Sequence, residues 1–571
     1  MNDTVIATQS TSLKKTSSSL GSRLFAGRQG RRLQESLIAY LFLAPAFLII
    51  FVFGLFPLAF SAYESTLKGL NKVLGTYDGL GNYVKAMENL AYVLAFWIAL
   101  TFVFLAGRAL SAMRQTARKY EERPWAWLLP GAVTAAGLAL LTRFVFVLLP
   151  ELLGIPDKMR GQENTRQLFI QLIGESWRAP AVQNAWRIAL IGLAAGFVLA
   201  YLVSRYLSGG DRRGTYYGAA VQTFLLLLGA AGLSWLTWDQ IQAAYILALA
   251  EGQPLAIWSQ VLTISAGFVL LLLSWWLWRS ASHRTSMVST LLRLGAAIVL
   301  SVGAWVLIGE LPRAVAAGDK DWWQGLVVTV YYAVGTIPFQ FAISLLLATL
   351  LFQNIKGKGL FRMIYFLPYI TPFVGTAAVF RILFSSRDNG PVNGLLGLVG
   401  IEPLKWLTEP TGVFQILAGA NVTLPDWAAG PSLSLVVIIF YGIWTFVGFD
   451  TVMFLAGLGS IPGELYEAAS IDGAGRWAQF RHVTLPLLSP TLYFLSLWAT
   501  IGTFKAFNHI YVLREAAALG TTDTASIVIF DAFKRDTRYG YASALAILLL
   551  IIILILTVIN NRIASKRVFY G

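Results

Sequence analysis

A chain of 571 residues that is 57% hydrophobic and only 13% charged lacks the charge needed to cover several soluble domains. Its 19 Trp, 22 Tyr and 36 Phe suit two aromatic belts at membrane interfaces, so composition implies an all-α polytopic membrane protein. The net charge of +15 traces to basic short loops rather than to a nucleic-acid partner, and the absence of cysteine excludes a disulfide frame, a thiolate metal site and a thiol nucleophile.

Residues 1–35 are rich in Ser and Thr, carry Lys14, Lys15, Arg23, Arg28, Arg31 and Arg32, and lack apolar periodicity. They read as a disordered basic cytosolic arm. The apolar run that follows is too long for a signal peptide and has no cleavage site.

Crossing about 30 Å of hydrocarbon takes roughly 20 apolar residues. Twelve such windows occur, near 37–63, 91–107, 125–150, 184–207, 215–238, 255–278, 288–309, 326–352, 362–384, 432–457, 489–512 and 541–560. Ten or eleven spans with a re-entrant piece is the alternative. Cytoplasmic loops collect Lys and Arg. Here Arg108, Arg114, Arg118, Lys119 and Arg123 form one basic connection and Arg205, Arg212 and Arg213 the next. Arg279 with Arg284, then Lys356, Lys358 and Arg362, and finally Arg562, Lys566 and Arg567 complete the set. The alternate loops hold Asp239 and Glu251, or Glu310, Asp319 and Asp321. Twelve spans with both termini cytoplasmic satisfy this alternation. Pro45, Pro57, Pro338, Pro368 and Pro372 fall within spans and predict bends there.

The stretch 455–490 is polar and helix-forming in a chain that is otherwise apolar. Pro462 suits a first helical turn, and Glu464 complements the positive end of the helix dipole. Leu465, Ala468, Ala469 and Asp472 share a face, with Glu467 beside them. Asp472-Gly473 is a turn pair, in which Asp472 is placed to cap the next helix. Trp477 and Phe480 then stack at a spacing of three and anchor the hairpin against the span ends, and Leu485-Pro486 stops the helix.

The spacing EAA-x2-DGA-x2-W-x2-F-x4-LP over Glu467–Pro486 resembles the cytoplasmic "EAA" loop of permease subunits in binding-protein-dependent ABC importers, most closely the maltose-type (MalF-like) sugar permeases. Leu43-Ala44-Pro45, Gly81-Asn82-Tyr83, Gly357-Lys358-Gly359, Asn393-Gly394-Leu395-Leu396, Trp406-Leu407 and Gly540-Tyr541-Ala542 extend the resemblance over roughly 30–90 and 322–571. It implies a first core helix and outer loop at 36–90 and a permease core at 322–571, six core spans in all, with Glu467, Ala468, Ala469, Asp472, Gly473 and Ala474 contacting a cytosolic ATPase. The region 91–321 has no counterpart in the family pattern and reads as an insertion of six membrane helices, where the maltose permease would carry a soluble outer domain. Around 514–524 the chain also lacks the family's Gly-Gly-Pro turn.

No G-x-x-x-x-G-K-[ST] loop occurs, so no cofactor is expected on this chain and ATP would be bound by a partner. His283, His482 and His509 are scattered, which argues against a metal centre or an enzyme. The resemblance implies a second, MalG-like permease subunit, two ATPase subunits and an extracytoplasmic solute-binding protein, in a cell (inner or plasma) membrane. Ionisable groups within spans are functional candidates. Asp450 and Lys505 stand out, either lining a path or forming a structural ion pair, and Tyr441, Trp444, Phe504 and Asn508 add stacking and hydrogen-bonding surfaces suited to a sugar. An importer of another small polar solute such as a glycerol phosphate, or an ion-coupled secondary transporter, remains the alternative.

Overall fold

The computed structural model describes residues 28–69, 75–161, 163, 165–207, 212–252, 257–281, 287–309, 311–353, 356–419 and 421–567. Most of the expected 1–35 arm lies outside them, as do Arg284, Glu310 and His283. The rest of that arm is not irregular, because α1 begins at Arg28 (Arg28–Ile50). A π-helical turn over Phe51–Leu55 joins α1 to α2 (Phe56–Glu64). Pro57 lacks the N–H that would bond back to Phe53, which accounts for the widened turn. Among the described residues, those up to Ala62 form one compact unit and those from Tyr63 onward a second.

In the larger unit, β1 (Leu67–Lys68) pairs antiparallel with β2 (Thr76–Tyr77), and α3 covers Gly81–Met87. Buried Asn82 donates to the carbonyls of Ser65 (2.9 Å) and Leu67 (2.8 Å), and the Tyr83 hydroxyl meets Ser65 Oγ at 2.7 Å. The Gly-Asn-Tyr motif is thus a clamp on the chain entering from the first span.

Six long helices follow: α4 (Leu90–Tyr120), α5 (Leu128–Leu153), α6 (Pro180–Tyr206), α7 (Arg213–Glu251), α8 (Ile257–Ala281) and α9 (Met287–Ile308). α4 and α7 far outrun the windows read from hydropathy. α4 has 31 residues, so Arg108, Arg114, Arg118 and Lys119 sit on its last turns rather than in a loop. Likewise Asp239 lies on α7, not in an outer loop. Helix–helix association in hydrocarbon depends on close packing of small residues. α5 and α6 meet in this way: Gly192 approaches Gly137, and Gly196 packs on Thr134, whose hydroxyl bonds the Pro130 carbonyl at 2.9 Å. α8 and α9 are joined by Ser274 Oγ, which donates to Ala297 O at 2.7 Å and lies 2.7 Å from Ser301 Oγ.

The remaining membrane helices are α10 (Lys320–Phe352), α11 (Lys358–Ile370), α12 (Phe373–Leu383), α13 (Leu433–Gly459), α16 (Ser489–Phe504) and α19 (Tyr539–Arg567). Between them stand α14 (Gly463–Ile471), α15 (Arg476–Gln479), α17 (Asn508–Leu513) and α18 (Ala525–Lys534). Among the described residues ten helices are long and apolar enough to cross a membrane, and two further pairs qualify together although bent. One bend, 94° between α11 and α12, falls at Thr371-Pro372, where proline cannot continue the ladder. The other, 62°, separates Arg476–Leu487 from α16. Counting each bent pair as one span gives twelve.

α10 and α13 pack closely, with Ser344 Oγ donating to Val447 O at 3.0 Å. Gly448 lets α13 press on α11: a Cβ there would lie 1.9 Å from the Tyr365 carbonyl oxygen. Beyond α12, Asn393 holds the loop together, accepting from Leu404 N (3.1 Å) and Trp406 Nε1 (2.8 Å) while donating to the Leu404 carbonyl at 3.1 Å.

Candidate functional site

The hairpin at 463–487 is built by its end groups. Pro462 stands just before α14 with an extended backbone, so it precedes the first turn rather than forming part of it; Glu464 lies within that turn. At the other end Gly473 takes φ +81°, a conformation that costs glycine nothing. Gly473 N donates to Ser470 O at 3.0 Å and Ala474 N to Ala469 O at 2.9 Å. These two bonds make a Schellman turn, with Asp472 as the last half-helical residue and Gly473 the left-handed one. Asp472 therefore ends α14 and does not cap α15, which starts after Gly475 with no side-chain cap.

Two side-chain ties close the hairpin. The Gln479 amide donates to Ser470 Oγ (2.8 Å) and Ala474 O (3.1 Å), and the Tyr466 hydroxyl meets Thr484 Oγ1 at 3.0 Å. Trp477 and Phe480 stack as their spacing requires, with centroids 5.5 Å apart. Trp477 does not take up the expected anchoring, being 71% exposed, whereas Phe480 is half-buried; Ile471, at the end of α14, is 86% exposed. Glu467, Ala468, Asp472 and Gly473 are exposed as well, whereas Ala469 and Ala474 are half-buried at the turn. The helix does not stop at Leu485-Pro486 either. It passes through a π-helical turn over Phe480–Thr484 and breaks at Leu488.

The second candidate region is a polar seam inside the core. Tyr441 on α13 is fully buried, donating to Phe373 O at 2.9 Å with Thr376 Oγ1 at 2.6 Å. Its ring stacks on His509 of α17 at 5.1 Å, and His509 Nε2 lies 2.9 Å from the Tyr332 hydroxyl of α10. Trp444 joins the same group through Phe380, 5.2 Å away, and remains 37% exposed. Asp450, further along α13, is buried and its Oδ2 has no hydrogen-bond partner. Gln340 and Thr336, one turn apart on α10, also keep buried oxygens without partners.

Phe504, Lys505 and Asn508 do not converge with these groups. Phe504 is buried in a different cluster, the one that holds Trp322 and Ala525. Lys505, just past α16, and Asn508, the first residue of α17, are exposed. Lys505 thus lies past the eleventh span rather than inside it, and it forms no ion pair with Asp450. His509, Tyr332 and Thr376 are additions that sequence reasoning missed. A histidine next to Asn508 in an apolar stretch was the available signal.

Where the family's Gly-Gly-Pro turn is missing, a charged network takes its place. Arg514 bonds both carboxylate oxygens of Asp531, at 3.1 and 3.3 Å, and reaches Asp523 at 3.6 Å. Leu519 and Gly520 make the turn with positive φ. Burial holds the Asp523 carboxyl above its usual range, against the pull of Arg514. The Arg538 guanidinium bonded to Asp536 holds that carboxyl below it.

Among the described residues, ten helices and two bent pairs long and apolar enough to cross a membrane, with an exposed hairpin before the last bend, define a polytopic membrane protein. The family model described as "binding-protein-dependent transport system inner membrane component" matches residues 317–569. The probable ABC transporter permease protein YesP of Bacillus subtilis is 30% identical over 292 residues, covering 49% of this chain and 87% of the relative. The lactose transport system permease protein LacF of Rhizobium radiobacter is 30% identical over 255 residues, covering 44% and 78%. The trehalose/maltose transport system permease protein MalF of Thermococcus litoralis is 29% identical over 248 residues, covering 43% and 76%. A solved bacterial ABC transporter involved in the import of the acidic polysaccharide alginate is 25% identical, with a TM-score of 0.38 over 43% of this chain and 80% of that one. The chain belongs to the family of binding-protein-dependent transport system inner membrane components. Its expected likeness to the maltose-type permeases is borne out, and the family model begins where the inserted helices end.

Proposed function

We propose that this chain is one of two permease subunits of an ATP-driven importer for a sugar or oligosaccharide, and that hairpin 463–487 couples it to a separate ATPase. The observation that carries the reading is the exposed face of that hairpin, where Glu467, Ala468, Asp472 and Gly473 lie beside uncovered Ile471 and Trp477. Small residues admit a close partner surface, the carboxylates offer charge, and the two aliphatic and aromatic side chains offer apolar area. A Schellman turn keeps this face rigid, so a push on it moves α13 and α16 instead of being lost in a flexible loop.

A second, MalG-like subunit completes the path, two ATPase subunits bind and hydrolyse ATP, and an extracytoplasmic binding protein delivers the solute. No cofactor is bound by this chain. Both termini face the cytosol, as the basic connections require. The names of the relatives, which include lactose and trehalose/maltose permeases, favour a sugar. Asp450 and Trp444 line the path on α13, with Tyr441 behind them.

The test is co-purification with candidate ATPases together with uptake into vesicles. Substitution of Glu467 or Gly473 should lower ATP-dependent uptake while the chain still inserts. Uptake that needs no ATPase and survives both changes would overturn the reading.

A further inference from the structure

Between α5 and α6 lies a helix of 13 residues, Arg166–Arg178, that belongs to neither span. Thr165 starts it, its hydroxyl accepting from Leu168 N at 3.3 Å, and Pro180 opens α6 just after its end. At 3.6 residues per turn its side chains divide into three faces. Leu172 and Ser176 are buried against the bundle, and Ser176 Oγ donates to Glu151 O of α5 at 3.0 Å. Gln167, Gln171, Glu175 and Arg178 form an exposed polar face, on which Gln171 Nε2 donates to Glu175 Oε1 at 2.9 Å. Phe169, Ile170, Ile173 and Trp177 form the third face, and all four are exposed. Arg166, in the first turn on that side, has a stem long enough to carry its charge back to water.

Trp177 shows which way the apolar face looks. Its ring meets Phe144 of α5 at 5.8 Å and Trp186 of α6 at 5.7 Å. Phe144 precedes the end of α5, at Leu153, by two and a half turns, about 13 Å at helical rise. The apolar face is therefore turned along the two spans toward the hydrocarbon, and the polar face is turned away from it. At the same level Phe146 of α5 and Ile188 of α6 are exposed too, so the neighbouring medium is one that accepts apolar surface. Charge plays no part in holding the segment, because over 151–183 four carboxylates balance four Lys and Arg side chains.

We infer that Arg166–Arg178 is an interfacial helix, lying flat on the bilayer with Phe169, Ile170, Ile173 and Trp177 dipping among the acyl chains. Helices of this kind sink their apolar face about 5–10 Å into the boundary between headgroups and chains. Arg123 before α5 and Arg205 in the last turn of α6 mark the opposite ends of these spans as cytoplasmic, which puts the helix in the outer leaflet. There it fixes the depth of the inserted helices without projecting a domain beyond the membrane. The inference rests on neither the solute nor the ATPase.

The chain has no cysteine, so a single introduced one carries a spin label alone. The full chain is reconstituted into phosphatidylcholine vesicles for the test. At Ile170→Cys and Ile173→Cys, collisions of the label with oxygen, which dissolves in acyl chains, should outnumber those with a water-borne nickel chelate. The ratio should reverse at Gln167→Cys and Gln171→Cys, and added phosphatidylglycerol should shift neither value. Phe169→Cys repeats the first reading if Ile173→Cys does not insert. Nickel dominance at all four positions would overturn the inference, because water would then cover the apolar face. Shielding of positions 170 and 173 from both reagents would overturn it in favour of a protein partner or a second copy. Insertion that needs the anionic lipid would overturn it too, since charge rather than apolar area would then hold the helix.

Discussion

The amide of Ala474 donates to the carbonyl of Ala469 at 2.9 Å, and this bond folds the chain back on itself between α14 and α15. It exists because Gly473 adopts φ +81°. A side chain in that region costs about 1–2 kcal/mol. Gly473→Val should therefore open the turn, raise hydrogen exchange at Ala474 and reduce ATP-dependent uptake, while the membrane helices stay intact by circular dichroism. Gly473→Asn, which tolerates the left-handed region better, should recover part of the loss.

Gly448 is required by the Tyr365 carbonyl, which would lie 1.9 Å from a Cβ at that position. Gly448→Ala should force α11 and α13 apart at a cost of about 1–3 kcal/mol, in the range of core overpacking. A lowered melting temperature in detergent would register this, and an unchanged one would mean that the crossing relaxes freely.

The Tyr332–His509 hydrogen bond, 2.9 Å long and fully enclosed, ties α10 to α17. Tyr332→Phe leaves the histidine nitrogen without its partner and should cost about 1–3 kcal/mol. The double variant with His509→Leu should lose less than the sum of the single changes, measured as a double-mutant cycle on thermal unfolding.

At the loop after α18, Asp536 is held below its ordinary value of 3.8 by its bond to Arg538. A carboxyl depressed by folding contributes stability that is present above its unfolded pKa and is lost as pH falls through the folded one. Unfolding of the wild type should therefore steepen with acid below about pH 4, the ordinary aspartate range, and Asp536→Asn should flatten that limb. Asp523 acts in the opposite sense. Burial raises its pKa, so Asp523→Asn should stabilise the chain at neutral pH and lose that advantage as the pH falls through the raised value.

Substrate recognition is checked at Asp450 and Asn508. Alanine at either position should change preference across a sugar panel before it affects assembly, read as transport competition against chain yield. Asp450 is buried and its Oδ2 has no partner, whereas Asn508 is exposed, so Asp450→Ala is expected to have the larger effect.

The spans were legible because hydrocarbon selects for long apolar runs, and all twelve windows correspond to a helix or a bent pair of helices. Their ends were not. Arg108 and Asp239 look like loop charges in one dimension, but helices continue beyond the bilayer as long as backbone bonds can be made, so both residues lie on helices. The hairpin residues were legible as a motif, while their division of labour was not. Asp472 was read as a cap for α15, yet it closes α14, because the following Gly473 and Ala474 complete a Schellman turn that spacing alone does not distinguish from an N-cap.

Sequence by itself determined that this is a polytopic membrane protein and where its exposed hairpin lies, since both follow from local composition and short-range spacing. Tertiary structure decided which polar groups share a site. Tyr441, His509, Tyr332 and Thr376 come from four helices far apart in the chain and meet through hydrogen bonds and ring contacts, whereas Asp450 and Lys505, which seemed a natural pair, remain apart. The physical reason is that helix crossings, set by small residues such as Gly448 and Gly442 against their neighbours, determine which faces meet, and no single helix carries that information.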